Sequence, residues 1–206
     1  MWFALRPWRL YTLSGDVGDN PFSGGFPVRK LGAILAGGKS TRFGSDKAAA
    51  MFNGRPLIDH VAEALSTQVD AVIICGRVWP GMQCVADRPH ADMGPLGGLN
   101  AALHFARDNG FGHVLSAGCD MLPIPEIPAP EDPEKACFVD GHYLFGLWPV
   151  SLAATLDRHL DQQSNLSMRH WVDTIAAHAV PATSVHANFN TPADLEEYAC
   201  KLAGQG

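Results

Sequence analysis

Apolar residues fall along this chain in short unbroken runs, separated by stretches with helical spacing. Residues 31–35 (Leu-Gly-Ala-Ile-Leu) form one run and 71–74 (Ala-Val-Ile-Ile) a second. Runs without polar alternation predict strands covered on both faces. Leu57, Ile58, Val61, Ala62 and Leu65 fall on one face of a helix that begins at Pro56, and Leu99, Ala102, Leu103 and Ala106 mark another. Short strands are predicted at 84–86 and 113–117. This alternation of buried strand and helix argues for a parallel sheet covered by helices.

The second half is less regular. Asp140-Gly141, between apolar runs at 136–139 and 143–147, is a hairpin signal and predicts some antiparallel pairing at one edge. Helical spacing follows at 151–160 and 166–175. The last helix is marked by Thr191 as N-cap, Pro192 in its first turn and Asp194 at the capping-box position. Residues 1–30 differ from the rest, with isolated Trp2, Phe3, Trp8 and Tyr11 among Gly, Pro, Asp and Arg. They read as a disordered or loosely attached extension of a single domain at 31–206; the alternative is a true start near Val28.

Charge changes the picture in one respect. Fifteen Lys and Arg against 21 Asp and Glu give a net charge of −6, a poor starting point for a nucleic-acid binder. A polyanionic ligand would need locally concentrated positive charge. The five cysteines are scattered without a C-x-x-C pair, which speaks against a zinc ribbon or a disulfide framework and for a reducing, cytoplasmic setting. The apolar-leaning run at 145–156 contains Pro149 and is too short to span a bilayer, so no membrane partner is expected.

That concentrated charge lies after the first strand, in Leu35-Ala36-Gly37-Gly38-Lys39-Ser40-Thr41-Arg42-Phe43-Gly44-Ser45-Asp46-Lys47. Ligands of open α/β sheets bind beyond the carboxyl ends of the strands, where this loop begins. Adjacent glycines allow close backbone approach, while Lys39, Arg42 and Lys47 suit a phosphate chain. A P-loop is excluded because its upstream glycine would fall on Ala33, and no G-x-G-x-x-G follows the strand. The plain alternative is a glycine-rich turn with solvated cations.

The loop resembles the L-A-G-G-x-S-x-R-x-G-x-D-K signature of the molybdenum cofactor guanylyltransferases. Gly94-Pro95-Leu96-Gly97-Gly98-Leu99 resembles their G-P-L-x-G segment, Gly118-Cys119-Asp120 their strand-end C-D, and Asn188-Phe189-Asn190-Thr191-Pro192-Ala193-Asp194-Leu195 their N-x-N-T-P-x-D-L. The four motifs keep the family's order over 31–202. The resemblance implies a single Rossmann-like α/β nucleotidyltransferase domain, with a mostly parallel sheet, helices on both faces and an antiparallel edge. The implied reaction moves GMP from GTP to the terminal phosphate of molybdopterin and releases pyrophosphate.

By the same resemblance, Leu35, Ala36 and Gly37 contact the nucleotide and Gly37 and Gly38 cradle its phosphates. Lys47 and Arg42 offset charge on the triphosphate, and Asp120 holds Mg²⁺. Asp87 matches the family's nucleotide-binding Asp, a ribose or guanine acceptor, with a turn Asp as the alternative. Asn190 would face molybdopterin and Asn188 join the metal or phosphate shell; otherwise both are loop asparagines making Asx-turns. Asp46 either orients Lys47 or makes a surface ion pair. Two departures stand out: Leu122 replaces the usual proline after Asp120, and Gly76-Arg77 stands where many relatives carry a nucleotide-contacting Asn. Molybdoenzyme assembly proteins are a further implied class of partner. Competing readings are a CTP-dependent enzyme acting on the same cofactor, a sugar-phosphate nucleotidyltransferase, and a non-catalytic nucleotide-binding assembly module. Gly37 favours GTP by family analogy.

Overall fold

The computed structural model describes residues 28–37, 46–128, 130–182, 187–189 and 191–203. Its elements follow the predicted alternation. Strand β1 (Lys30–Leu35) leads to a single 3-10 turn (Lys47–Ala49), the two-residue strands β2 (Met51–Phe52) and β3 (Arg55–Pro56), helix α1 (Leu57–Ser66) and strands β4 (Ala71–Cys75) and β5 (Gln83–Val85). Helix α2 (Gly94–Asp108) precedes β6 (His113–Gly118), β7 (Met121–Leu122), β8 (Cys137–Val139) and β9 (His142–Pro149). The remainder is α3 (Ala153–Gln162), α4 (Met168–Thr174), β10 (His178–Val180), β11 (Ala187–Asn188) and α5 (Pro192–Ala203).

Seven strands form the main sheet in the order β10-β8-β9-β6-β1-β4-β5. Strands β6, β1, β4 and β5 are parallel neighbours. The hairpin at Asp140-Gly141 forms as the turn signal predicts, with Gly141 at φ 75°. It places β9 antiparallel to both β6 and β8, while β10 runs parallel to β8. The reversed strand therefore lies third from the sheet edge, because β10 returns to extend the sheet beyond the hairpin.

Helices cover both faces. Ile34, Ile74, Leu115, Phe145 and Leu147 face a core shared with α1 and α5, and Leu31, Ala33, Leu35, Ile73 and Trp148 face one shared with α2, α3 and α4. All five apolar positions predicted for α1 are fully buried. This helix has Pro56 at its N-cap and no side-chain capping bond, so packing holds it in place. Each large aliphatic side chain buried there contributes about 1.5–3 kcal/mol. Gly32 makes the approach possible, since a Cβ on it would lie 2.9 Å from both Leu65 Cδ2 and Val69 Cγ2.

Helix α2 starts at Gly94, so Gly-Pro-Leu-Gly-Gly forms its opening turns and Pro95 lies in the first of them. A Cβ at Gly97 would lie 3.2 Å from Asp87 Cβ, and one at Gly98 3.2 Å from both Cys75 Cβ and Leu35 Cδ2. The glycines bring the helix N-terminus onto the ends of β1 and β4. At the other end of the site, β11 pairs antiparallel with β7 and Phe189 N donates to Asp120 O at 2.9 Å. The predicted capping box on α5 closes in both directions: Thr191 N donates to Asp194 Oδ2 at 2.9 Å and Asp194 N to Thr191 Oγ1 at 3.3 Å.

Candidate nucleotide-transfer site

The carboxyl ends of four parallel strands meet at one rim of the sheet. The ladder continues one residue beyond the strands: Ala36 N donates to Cys75 O at 3.0 Å and Gly76 N to Val85 O at 2.9 Å. These bonds draw Gly37, Gly76 and Asp87 together. A Cβ at Gly37 would sit 3.0 Å from Asp87 Oδ2 and 3.4 Å from Gly76 Cα. Gly76 has φ 81°, and a Cβ there would sit 2.6 Å from Gly37 Cα. Gly76 has to be glycine for the two backbones to stack beside the carboxylate, whereas a methyl at Gly37 would press mainly on the Asp87 side chain.

Asp87 is the polar centre of this floor. Its Oδ1 is buried and has no hydrogen-bond partner among the described residues. A buried acceptor left unmatched costs free energy that a ligand's donors would recover. Burial, and secondarily the charge of Asp92, holds its carboxyl above the usual carboxylate range. The native state thus takes up this proton more readily than the unfolded chain. The stability it contributes is complete below the ordinary value of 3.8 and is lost as pH rises through the higher native value. Asp87→Asn is therefore expected to flatten that loss and leave the ligand-free protein more stable than wild type near neutrality. Thermal melts between about pH 4 and about pH 8 check this; a parallel decline in both proteins would contradict it.

The second half of the site lies at the end of β6. Lys47 Nζ donates to Asp120 Oδ2 at 2.7 Å, with side-chain exposures of only 13% and 21%. The two residues come from segments 73 apart, so this pairing is a product of the fold. A Cβ at Gly118 would lie 2.8 Å from Asp120 Oδ1, and its absence leaves space for the carboxylate over the strand end. No group of three or more His, Cys, Asp or Glu able to hold a metal ion occurs among the described residues. A magnesium ion carried on phosphates needs one or two protein carboxylates and water, and the Asp120 carboxylate over Gly118 has the chemistry to supply one.

Asp46 does not contact Lys47 by an ion pair. Its carboxylate is held by Arg77, whose two terminal nitrogens donate at 2.8 and 2.6 Å, and its Oδ1 accepts from Ala48 N at 3.2 Å, capping the turn Lys47–Ala49. The Arg77 hydrogen bonds hold the Asp46 carboxyl below its usual range. Cys119, next to Asp120, has its thiol pushed up to about 12 by burial and by that carboxylate, so it is an apolar packing residue rather than a nucleophile. Cys75 is fully buried and its thiol is likewise pushed up by burial.

The structure thus brings together Leu35, Ala36, Gly37 and Asp87 on one side and Lys47 and Asp120 on the other. Asn188 lies in β11, paired with Met121 and so beside Asp120 along the backbone. Gly38, Lys39, Arg42 and Asn190 lie outside the described residues. Sequence reasoning noted Gly76-Arg77 only as a departure, with the relatives' Asn contact absent or made by backbone; the structure adds the close approach of Gly76 to Gly37 and the Arg77–Asp46 pair. The rule that pointed to the loop after β1 applies equally to the loop after β4, where Gly76 and Arg77 lie. Tyr143, Phe145 and Trp148 pack the hairpin as expected, Phe145 and Trp148 being buried and Tyr143 stacked on Phe138 at 5.4 Å. Trp171 is buried in the core, and both it and His170 pack against His159.

Comparison with known proteins agrees with this geometry. A family model of the MobA-like NTP transferase domain matches residues 32–180. The chain is 33% identical over 187 residues to the molybdenum cofactor guanylyltransferase of Rhizobium leguminosarum bv. trifolii (strain WSM2304), covering 81% of this chain and 90% of that one. It is 32% identical over 179 residues to the protein of that name from Rhodobacter capsulatus, covering 82% and 94%. Among solved structures, molybdopterin-guanine dinucleotide biosynthesis protein A from Archaeoglobus fulgidus shares the fold with a TM-score of 0.62 at 20% identity, over 85% of this chain and all of that one. The CTP:phosphocholine cytidylyltransferase of Streptococcus pneumoniae shares it at a TM-score of 0.60 and 15% identity, over 85% and 100%. The match in sequence over most of the chain, on a sheet whose strand ends gather these residues, makes it a nucleotidyltransferase belonging to the MobA-like NTP transferase family.

Proposed function

We propose that this chain transfers GMP from GTP to the terminal phosphate of molybdopterin, forming the guanine dinucleotide of the molybdenum cofactor and pyrophosphate. The observation that carries the reading is the Lys47–Asp120 pair at the end of β6, opposite an unmatched Asp87 carboxylate on a glycine floor. The relatives' shared name supports the choice of guanine. The five free cysteines support a cytoplasmic setting, and no described helix is long and apolar enough to cross a membrane.

In this reading the base edge lies over Gly37 and Gly76, where Asp87 accepts N–H groups of guanine or hydroxyls of ribose. The backbone of Leu35, Ala36 and Gly37 reads the nucleotide, and Gly37 with Gly38 approaches the phosphates. A molybdopterin phosphate oxygen attacks the α-phosphorus in line; the new P–O bond forms as the bond to the β-phosphate oxygen breaks. Both reactants are anions, so positioning and neutralisation carry the catalysis. Lys47, with Arg42, offsets charge on the triphosphate and the leaving pyrophosphate. Asp120 would hold Mg²⁺, which supplies charge neutralisation at phosphate oxygens when bound. The family resemblance assigns Asn190 to the pterin and Asn188 to the metal or phosphate shell.

The test is to incubate the protein with molybdopterin, Mg²⁺ and either GTP or CTP. Pyrophosphate release and the nucleotide joined to the pterin are then followed. GTP-dependent product is expected; a CTP product would keep the reaction and overturn the base, and GTP binding without product would favour an assembly role. Asp87→Asn is expected to weaken GTP binding by about 10- to 100-fold, the worth of hydrogen bonds to a charged acceptor. Unchanged affinity in a GTP titration would remove Asp87 from the site.

A further inference from the structure

Lys47 has a flexible four-carbon stem, and such a side chain fixes an ammonium only when its backbone is held. Asp46 and Ala48, on either side of it, are held by the same carboxylate. Asp46 Oδ1 caps the turn through Ala48 N, and both oxygens receive the guanidinium of Arg77 from the loop after β4. Arg77 has a second support, its guanidinium carbon lying 5.8 Å from the Trp79 ring centre. Trp79 in turn donates to Asp59 of α1 at 2.9 Å. Arg77 also directly follows Gly76 in the Asp87 floor. One side chain therefore connects the half of the site around Asp87 to the turn that presents Lys47 to Asp120.

We propose that Arg77 is the positioning residue for Lys47, fixing through Asp46 the turn that carries the ammonium to the nucleotide's phosphates. This rests on the reading of Lys47 as the group that neutralises those phosphates. An exposed ion pair contributes little to stability by itself, and with side chains 26% and 44% exposed this one is not deeply buried. Its bidentate geometry supplies orientation, which a lysine at 77 would not reproduce while keeping the charge.

The experiment uses the full chain as wild type, Arg77→Ala, Arg77→Lys, Asp46→Asn, Lys47→Ala and the Arg77→Ala/Lys47→Ala double variant. Nucleotide transfer, guanosine binding and thermal melting are measured on each. Arg77→Ala is expected to lower kcat by about 10- to 100-fold, the effect of misplacing a catalytic group by roughly an ångström. Arg77→Lys should recover little of it. Asp46→Asn keeps a capping oxygen and loses the fork, so it should behave like Arg77→Ala. The double variant should be no slower than Lys47→Ala alone, and guanosine binding should persist throughout. The proposal is overturned if Arg77→Ala slows the Lys47→Ala protein by the same factor as wild type, or if melting and guanosine binding collapse in all three tether variants. A Lys47→Ala protein that turns over like wild type would instead overturn the phosphate reading, and the proposal with it.

Discussion

Replacing Lys47 with alanine is expected to slow nucleotide transfer by about 10²–10³-fold, the usual loss when one preorganised group facing developing charge is removed. The ammonium lies 2.7 Å from Asp120 in a site where both side chains are mostly shielded from water. Low exposure keeps its field from being screened, and no solvent has to reorganise as the pyrophosphate departs. The loss should appear equally in kcat and kcat/KM, which marks an interaction made chiefly in the transition state. Steady-state kinetics with GTP and molybdopterin measure this directly. A rate within a few-fold of wild type would place the phosphates elsewhere.

Gly76→Ala should be the most damaging change outside the charged groups. Its φ of 81° carries a strain of about 1–3 kcal/mol for a residue with a side chain. The new methyl would also stand 2.6 Å from Gly37 Cα and 2.8 Å from Asp87 Oδ1. The first neighbour is backbone and cannot swing away, so overpacking adds about 1–3 kcal/mol. Gly81→Ala is the matched control, with φ 76° and open space within 4 Å, so it bears the strain without the collision. Thermal melting should rank Gly76→Ala well below Gly81→Ala, and only the former should lose GTP binding in a titration. Equal melting of the two would mean that the Gly37–Gly76 contact relaxes freely.

What was legible in the sequence was set by local rules. The face of α1 followed from five residues at helical spacing, and the cap of α5 from Thr191 and Asp194, three positions apart. Lys47, Asp87 and Asp120 were singled out because strand ends and motif order point to them. The first turns of α2 were hidden, because Gly94, Gly97 and Gly98 are poor helix formers and the apolar spacing emerges only from Leu99. Tertiary packing overrides that propensity: the glycines are helical where α2 meets Leu35, Cys75 and Asp87. The Asp46–Arg77 pair was equally hidden, since 31 residues separate its members and no local period links them. The join of β7 with β11 is two residues long and leaves no pattern at all.

That short join also orders the events of synthesis. Asp120 is built into the chain well before Phe189, yet the Asp120 carbonyl receives the Phe189 amide, and the Phe189 ring fills a buried slot beside Phe52 and Tyr198. A ribosome delivers β1, β4, β5 and α2 first, which together make the glycine floor and its carboxylate. The segment that closes over the far side, β11 and Phe189, follows them in the chain. Because a domain folds as a unit, the pairing of β11 with β7 waits on the segment around Phe189, and the backbone beside Asp120 is closed only after that segment has left the ribosome.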